Sequence, residues 1–363
     1  MDRKVRVGII GSQFISTIHA EGLRSSPQAE MVAVASAHAD RARAFAERFR
    51  IPRHFDDYRR LLELPEVDMV VIGAPNDLHG PMTVAAAAAG KHVVVEKPLC
   101  LDLEEADRMI AACRTAGVKL MYAEELCFAP KYVRLKQLLD SGALGRATLL
   151  KQSEKHDGPH ADHFWDVTRS GGGVTMDMGC HAIQFFRWML GGARILSAYA
   201  QMDTLVHGAK TRGDDNALLI LEFEGGVVAL AEESWTKKGG MDDRAEVHGS
   251  RGVAYADLLH GNSIETYSTA GYDYAVEKAG TTVGWSFTMY EENWNYGFPQ
   301  EMAHFVDCVQ NDRPPRVTGE DGKAVLEVLF AAYASAGSGR KVALPFATEA
   351  RRPIDLWRPQ GGV

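Results

Sequence analysis

Two stretches of the chain pair residue types with a spacing that fits acid/base or ligand chemistry. Gly171-Gly172-Gly173 is followed by Asp177 and, four residues on, His181. At that spacing a carboxylate and an imidazole share one face of a helix, and together they make a group able to take a proton from a hydroxyl. The same spacing suits an ordinary surface ion pair, but the glycine run, which lets another segment approach the helix start, favours the chemical role. A helix N-terminus disfavours a protonated imidazole and Asp177 favours it, so a working pKa near neutrality is expected for His181. The second stretch is Glu96-Lys97-Pro98, directly after the apolar run Val93-Val94-Val95. A lysine there stands at the C-terminal end of a buried parallel strand, where open α/β sheets bind ligands, although a loop lysine is in general a solvated charge.

Near the N-terminus, Val5 to Ser16 has the strand, turn and helix-start context of a dinucleotide fingerprint. Gly11 supplies the tight turn. Gln13 and Ser16 stand where a second and third glycine would be, so phosphate binding would rest on the free N–H groups of the helix start with Ser12 and Gln13 donating. A nucleotide-free α/β fold is the alternative. After the second strand the chain reads Ser36-Ala37-His38, with neither a carboxylate for ribose hydroxyls nor an arginine for a 2′-phosphate, which leaves His38 and Arg41 as contacts. Cofactor choice stays open on these residues, with NAD slightly favoured over NADP.

From His156 to Asp166, three histidines and three carboxylates fall within one short segment. A metal reading is available, but a Gly158-Pro159 loop does not fix ligand geometry, and no metal is expected. A sugar-recognition loop is the preferred reading: His156, His160 and His163 hold hydroxyls and Trp165 presents an apolar face, with Trp235, Trp285, Trp294 and Tyr296 as further candidates.

The elements that must position these groups follow from apolar patterning. Continuous apolar runs at Val5–Ile10, Met31–Ala35, Val67–Ile72, Val93–Val95 and Val118–Tyr122, separated by helical stretches, predict a parallel sheet covered on both faces. One helix is punctuated by Pro81 in its first turn and Gly90 after its end. From about Ala147 the pattern changes to alternating strands with glycine turns. Hairpins are expected for Ala217–Phe223 with Val227–Trp235 and for Ala245–His248 with Val253–Tyr255, then helices over Pro299–Gln310 and Asp321–Ser335. The fold class is thus α/β: an N-terminal Rossmann domain (1–125), an α/β domain with an open, mostly antiparallel sheet (126–345) and a tail (346–363). The 363 residues carry a net charge of -8 with no basic block, which argues against nucleic acid. The apolar run after Met1 is too short for a signal segment or a membrane span, and the five cysteines show no paired spacing. A cytoplasmic protein with reduced thiols and no membrane partner is expected.

The segment Val67 to His79, with Ala89-Gly90-Lys91-His92-Val93-Val94-Val95-Glu96-Lys97-Pro98 and the Gly-Gly-Gly, Asp, Gly, His series of 171–181, resembles the Gfo/Idh/MocA oxidoreductase family over residues 4 to 345. The resemblance implies Lys97 at nicotinamide and substrate, His181 as acid/base at the reacting hydroxyl and Asp177 as a hydroxyl-binding group. It implies cofactor contacts at Gly11, Ser12, Gln13, Phe14, Ile15, Ser36, His38, Arg41, Ala74, Pro75, Asn76, His79, Glu96 and Lys97, and an active site between the two domains. The loop at 156–166 is similar to the family's glycoside 3-oxidising branch. The expected function is hydride transfer at a ring secondary alcohol of a sugar, glucoside C3 first. The alternatives are an inositol or dihydrodiol dehydrogenase and a non-catalytic dinucleotide-binding regulator. Tight, non-dissociating cofactor binding is a variant, and a homo-oligomer through the open sheet is expected. Two departures bear on the substrate: Cys127 where the family often has arginine, and Gln184 where it has aspartate.

Overall fold

A computed structural model describes residues 3–260, 263–269, 280–289 and 291–357. They form two compact units, Met1–Phe128 with Gly297–Leu326, and Ala129–Tyr296 with Glu327–Val363.

The first unit alternates strand and helix: β1 (Val5–Ile10), α1 (Phe14–Arg24), β2 (Ala29–Ala35), α2 (Ala39–Phe49), β3 (Arg53–Phe55), α3 (Tyr58–Leu62), β4 (Met69–Ile72), α4 (His79–Ala88), β5 (His92–Val95), α5 (Leu103–Ala116) and β6 (Leu120–Tyr122). The six strands lie in the order β3-β2-β1-β4-β5-β6, all parallel. Every residue of β4 is buried, as the continuous apolar runs require of a strand covered on both faces. Strand β3 has three residues and no apolar run, so patterning did not show it. Helix α4 carries Pro81 in its first turn, and Gly90 follows its C-cap at φ 71°, where a left-handed residue ends a helix.

The second unit opens with α6 (Pro130–Asp140), β7 (Ala147–Lys155), α7 (Val167–Ser170) and α8 (Cys180–Met189), then β8 (Ile195–Asp203), β9 (Asn216–Phe223), β10 (Val228–Ser234), β11 (Asp242–Gly249) and β12 (Val253–Asp257). A two-stranded ribbon, β13 (Ser263–Ser268) and β14 (Gly284–Met289), and the short α9 (Glu292–Tyr296) follow. The chain then forms α10 (Phe298–Gln310) in the first unit, α11 (Gly319–Ser338), which runs from one unit into the other, and β15 (Val342–Ala343). The large sheet is ordered β12-β11-β7-β10-β9-β8-β15, with β7 and β10 parallel and the other pairs antiparallel. Both expected hairpins form. Burial alternates along β9: Leu219 and Leu221 are buried, whereas Leu218 and Ile220 are exposed on the open face.

The units are not contiguous in sequence, unlike the expected ranges. Residues 297–326 join the first unit because α10 packs on α1: a Cβ at Gly22 would meet Phe298 O and Met302 Cγ, each at 3.1 Å. Met302 and Phe305 are fully buried, and each such side chain contributes about 1.5–3 kcal/mol. Residues 346–357 are anchored in the second unit. Phe346 N donates to Glu327 Oε1 (2.7 Å) and Ile354 N to Gly171 O (3.0 Å), while the tail residues 358–363 lie outside the described residues.

Candidate active site

In the first unit, β1 ends in a turn that only glycine permits. Gly11 has φ 127°, and a Cβ there would stand 2.4 Å from Gly73 O and 2.5 Å from Ser16 Oγ. Ser16, in place of the third fingerprint glycine, turns its hydroxyl to Gly73 O at 3.4 Å and is buried between helix and strand. Gln13 is the N-cap of α1 and makes no side-chain capping bond, so the first N–H groups of this 11-residue helix remain for an anion. Ser12 Oγ bonds Ser36 Oγ (2.8 Å), joining the ends of β1 and β2. His38 is the N-cap of α2, again without a side-chain cap, and Arg41 is exposed. Phe14, 43% exposed, flanks the same turn. Gly11, Ser12, Gln13, Phe14, Ile15, Ser36 and His38 thus gather at the C-terminal edge of β1 and β2. This cradle fits the diphosphate and ribose of a dinucleotide.

The next edge, β4 and β5, carries Ala74, Pro75, Asn76, His79, Glu96 and Lys97. His79 is fully buried, with Nε2 2.9 Å from Ala74 O and Nδ1 2.9 Å from Pro98 O. Burial lowers its pKa despite those carbonyls, and a neutral ring donates to one of them at a time. Its visible part is to brace the loop after β4 against the Lys97-Pro98 segment. Glu96 is buried yet held below the usual carboxylate range: burial pushes it up, and the hydrogen bond and charge of His19, with Lys97 adding, outweigh that. His19 Nε2 lies 2.5 Å from Glu96 Oε1, and Glu96 Oε2 accepts Lys97 N–H at 2.9 Å. His19 sits on α1, so one buried pair ties that helix to the lysine-bearing strand end. Cys127, where the resembled family often has arginine, has one brought to it from elsewhere: Arg316 Nη1 donates to Cys127 O (2.8 Å) and its guanidinium covers the Phe128 ring at 4.5 Å.

In the second unit the glycine run is explained by close approaches. A Cβ at Gly172 would stand 2.1 Å from Tyr333 Oη, and one at Gly173 1.9 Å from Asp214 O. Asp214 Oδ1 accepts Gly173 N (3.0 Å), and Oδ2 accepts Thr175 N (2.8 Å) and Thr175 Oγ1 (2.6 Å). The segment Thr175–Gly179 is a π-helical turn leading into α8, a wider turn of a kind frequent at functional sites. Asp177 lies in this turn and His181 in the first turn of α8, at 4% and 2% exposure. Trp235, fully buried at the end of β10, donates Nε1–H to Asp177 Oδ2 at 3.1 Å. One carboxylate oxygen of Asp177 is therefore oriented by an indole.

The loop at 156–166 meets the same tryptophan. The Trp165 ring centroid lies 5.4 Å from that of Trp235 and 5.1 Å from that of His207, and the Lys210 ammonium stands 4.9 Å over it. Phe164 also contacts Trp235, at 6.3 Å. His156 is buried and edge-on to His160 at 4.5 Å, while His163 packs on Phe164. Asp166 caps α7, accepting from Thr168 N and Oγ1, and those bonds lower its pKa. Trp285 and Trp294 are exposed, and Tyr296 is buried. None of His156, His160 and His163 belongs to a group of three potential metal ligands among the described residues. Asp242, Asp257 and His260 do form such a group, but Arg244 pairs with Asp242 (2.7 Å) and His260 with Asp257 (2.9 Å).

Asp214, Tyr333 and His207 were not singled out in the sequence. Gly213-Asp214-Asp215 before the apolar strand was the available signal. The Asp215 carboxylate takes the N–H groups of Leu205, Val206 and His207 at 2.7–2.8 Å, with the Asn216 side chain adding a fourth bond, which sets the loop carrying His207.

Residues 5–124 match the model of an oxidoreductase family with an NAD-binding Rossmann fold, and residues 132–255 match the GFO/IDH/MocA C-terminal domain. A myo-inositol 2-dehydrogenase of Thermotoga maritima is 30% identical over 342 residues, 94% of this chain and 98% of that protein. An NAD(+)-dependent scyllo-inositol 2-dehydrogenase of Bacillus subtilis is 30% identical, over 95% and 97% of the two chains. Among solved structures, GenD2 from gentamicin A biosynthesis, in complex with NAD, superposes with a TM-score of 0.90 at 32% identity, covering 95% of this chain and 98% of that one. The chain belongs to the Gfo/Idh/MocA family of oxidoreductases, with an NAD-binding Rossmann domain and that family's C-terminal domain.

Proposed function

We propose that the protein is an NAD-dependent dehydrogenase that oxidises a ring secondary alcohol of a cyclic polyol, with an inositol as the first candidate. The observation that carries the chemistry is the buried Asp177, on a π-helical turn and oriented by Trp235, with the buried His181 following it in the first turn of α8. A regulator that only binds cofactor has no need of this arrangement. The full-length inositol dehydrogenases among the relatives move the inositol reading ahead of the glucoside C3 reading drawn from the loop at 156–166. The glucoside reading stands second, on the half-buried Trp165 ring as an apolar wall for sugar C–H groups.

NAD, when bound, supplies the hydride acceptor. The N-terminus of α1 and the Gly11 turn would hold its diphosphate, and Ser36 and His38 would face the adenosine ribose. In the proposed reaction the His181 imidazole accepts the hydroxyl proton, the Lys97 ammonium stabilises the oxygen as negative charge develops, and Asp177 holds a substrate hydroxyl. The five cysteines are all buried, which supports a reducing, cytoplasmic setting. No described helix is long and apolar enough to cross a membrane. Exposed Tyr199, Leu218 and Ile220 on the open sheet face support self-association.

The test is a screen of inositols, glucosides and dihydrodiols with NAD and NADP, reading cofactor reduction and locating the new carbonyl by NMR. Oxidation of an inositol with NAD is expected, and Lys97→Ala and His181→Ala should each lower turnover at least about a hundredfold. Turnover confined to glucosides would reverse the substrate ranking. Losses under threefold in both variants would sink the catalytic reading.

A further inference from the structure

The mechanism above leaves unused a buried carboxyl beside its lysine. Strands β5 and β6 are parallel neighbours with Val95 opposite Tyr122, and Ala123 N donates to Val95 O at 2.9 Å. Carrying the register on by two residues sets Glu124 beside Lys97 at the C-terminal edge of the sheet. That edge is the ligand-binding edge of an open parallel sheet. Glu124 is fully buried, and its backbone N–H is anchored by Glu301 Oε1 at 2.7 Å, from α10. Burial raises its pKa well above the carboxylate range, the Glu96 charge adds to this, and the Lys97 charge opposes it. The Lys97 charge is already faced by the ionised Glu96, so Glu124 is not needed to balance it.

We propose that Glu124 is a further substrate-binding residue, whose carboxyl holds the hydroxyl on the carbon next to the one oxidised, so that the substrates are vicinal diols. The proposal rests on the polyol dehydrogenase reading and deepens it. Neighbouring strands stand about 4.8 Å apart, so two side chains at one register suit two oxygens on adjacent carbons better than one shared oxygen. A neutral carboxyl both donates and accepts, as a hydroxyl does. A buried site built to pair a hydroxyl rejects the analogue that lacks it, by factors of about 10⁴ where the pairing is complete.

The experiment takes whichever of scyllo-inositol, myo-inositol and methyl glucoside the wild-type protein oxidises, and its analogue deoxygenated at a carbon adjacent to the oxidised one. Wild-type kcat/KM should favour the diol by at least about a thousandfold. Glu124→Leu should lose at least about a hundredfold on the diol and bring the two substrates within tenfold of each other, with NAD affinity unchanged. Glu124→Gln, which keeps a donor and an acceptor, should restore most of the preference. A wild-type preference below tenfold, which needs no variant to measure, overturns the proposal while leaving the dehydrogenase reading intact. So does an equal loss on both substrates in Glu124→Leu. Turnover of no cyclic polyol by the wild type overturns the functional reading and the proposal with it.

Discussion

Replacing Trp235 by phenylalanine isolates a single hydrogen bond. The phenyl ring retains the aromatic contact with Trp165, now 5.4 Å between centroids, and removes the Nε1–H that reaches Asp177 Oδ2 at 3.1 Å. Asp177 is 4% exposed, so water does not readily replace the lost donor. A hydrogen bond to a charged acceptor is worth about 1.5–3 kcal/mol. At about 1.4 kcal/mol per tenfold, kcat/KM for the polyol should fall by roughly 10- to 150-fold. Because Asp177 is assigned to hold a hydroxyl and not to move the proton, most of the loss should appear as a raised KM. The assay is the initial rate of NADH formation over a range of polyol concentrations, paired with NAD titration and thermal melting. NAD affinity should be unchanged. A kcat/KM within threefold of wild type in a normally melting variant would refute the claim that the indole orients Asp177.

Two further outcomes follow from the same unit. Gly173→Ala places a methyl group 1.9 Å from Asp214 O and 2.5 Å from Asp214 N, both backbone atoms; overpacking of about 1–3 kcal/mol should lower the melting temperature by several degrees, and an unchanged melt would contradict the close approach. The Asp243 carboxyl is pushed up to about 7 from 3.8, chiefly by burial and further by Asp242 and Asp257, with hydrogen bonds from Tyr132 and Gln152 opposing. The fold holds this proton where the unfolded chain has released it, so stability falls as pH rises between about 3.8 and about 7 and levels off above. Asp243→Asn should decline less over that window by calorimetry, and parallel curves for the two proteins would count against the assignment.

Strand periodicity made the Rossmann sheet readable, because a strand buried on both faces must be apolar throughout, and Val5–Ile10, Met69–Ile72 and His92–Val95 fall within or close to the runs that patterning marks. The hairpins of the second sheet were equally open to reading, since glycine turns and alternation are local properties. Asp177 and His181 stood out by spacing and the glycine run before them, Lys97 by its place after a buried strand, and their roles came from the family resemblance. Tertiary structure alone decided what those glycines face. Gly172 and Gly173 are dictated by Tyr333 and Asp214, distant in sequence, and no local pattern records which segment fills a gap. The same holds for α10, which returns to α1, for Arg316 at Cys127, and for the indole on Asp177. Local conformation follows from neighbours along the chain, whereas the partner of a buried polar group is set by which distant segment the packed core brings within hydrogen-bond range.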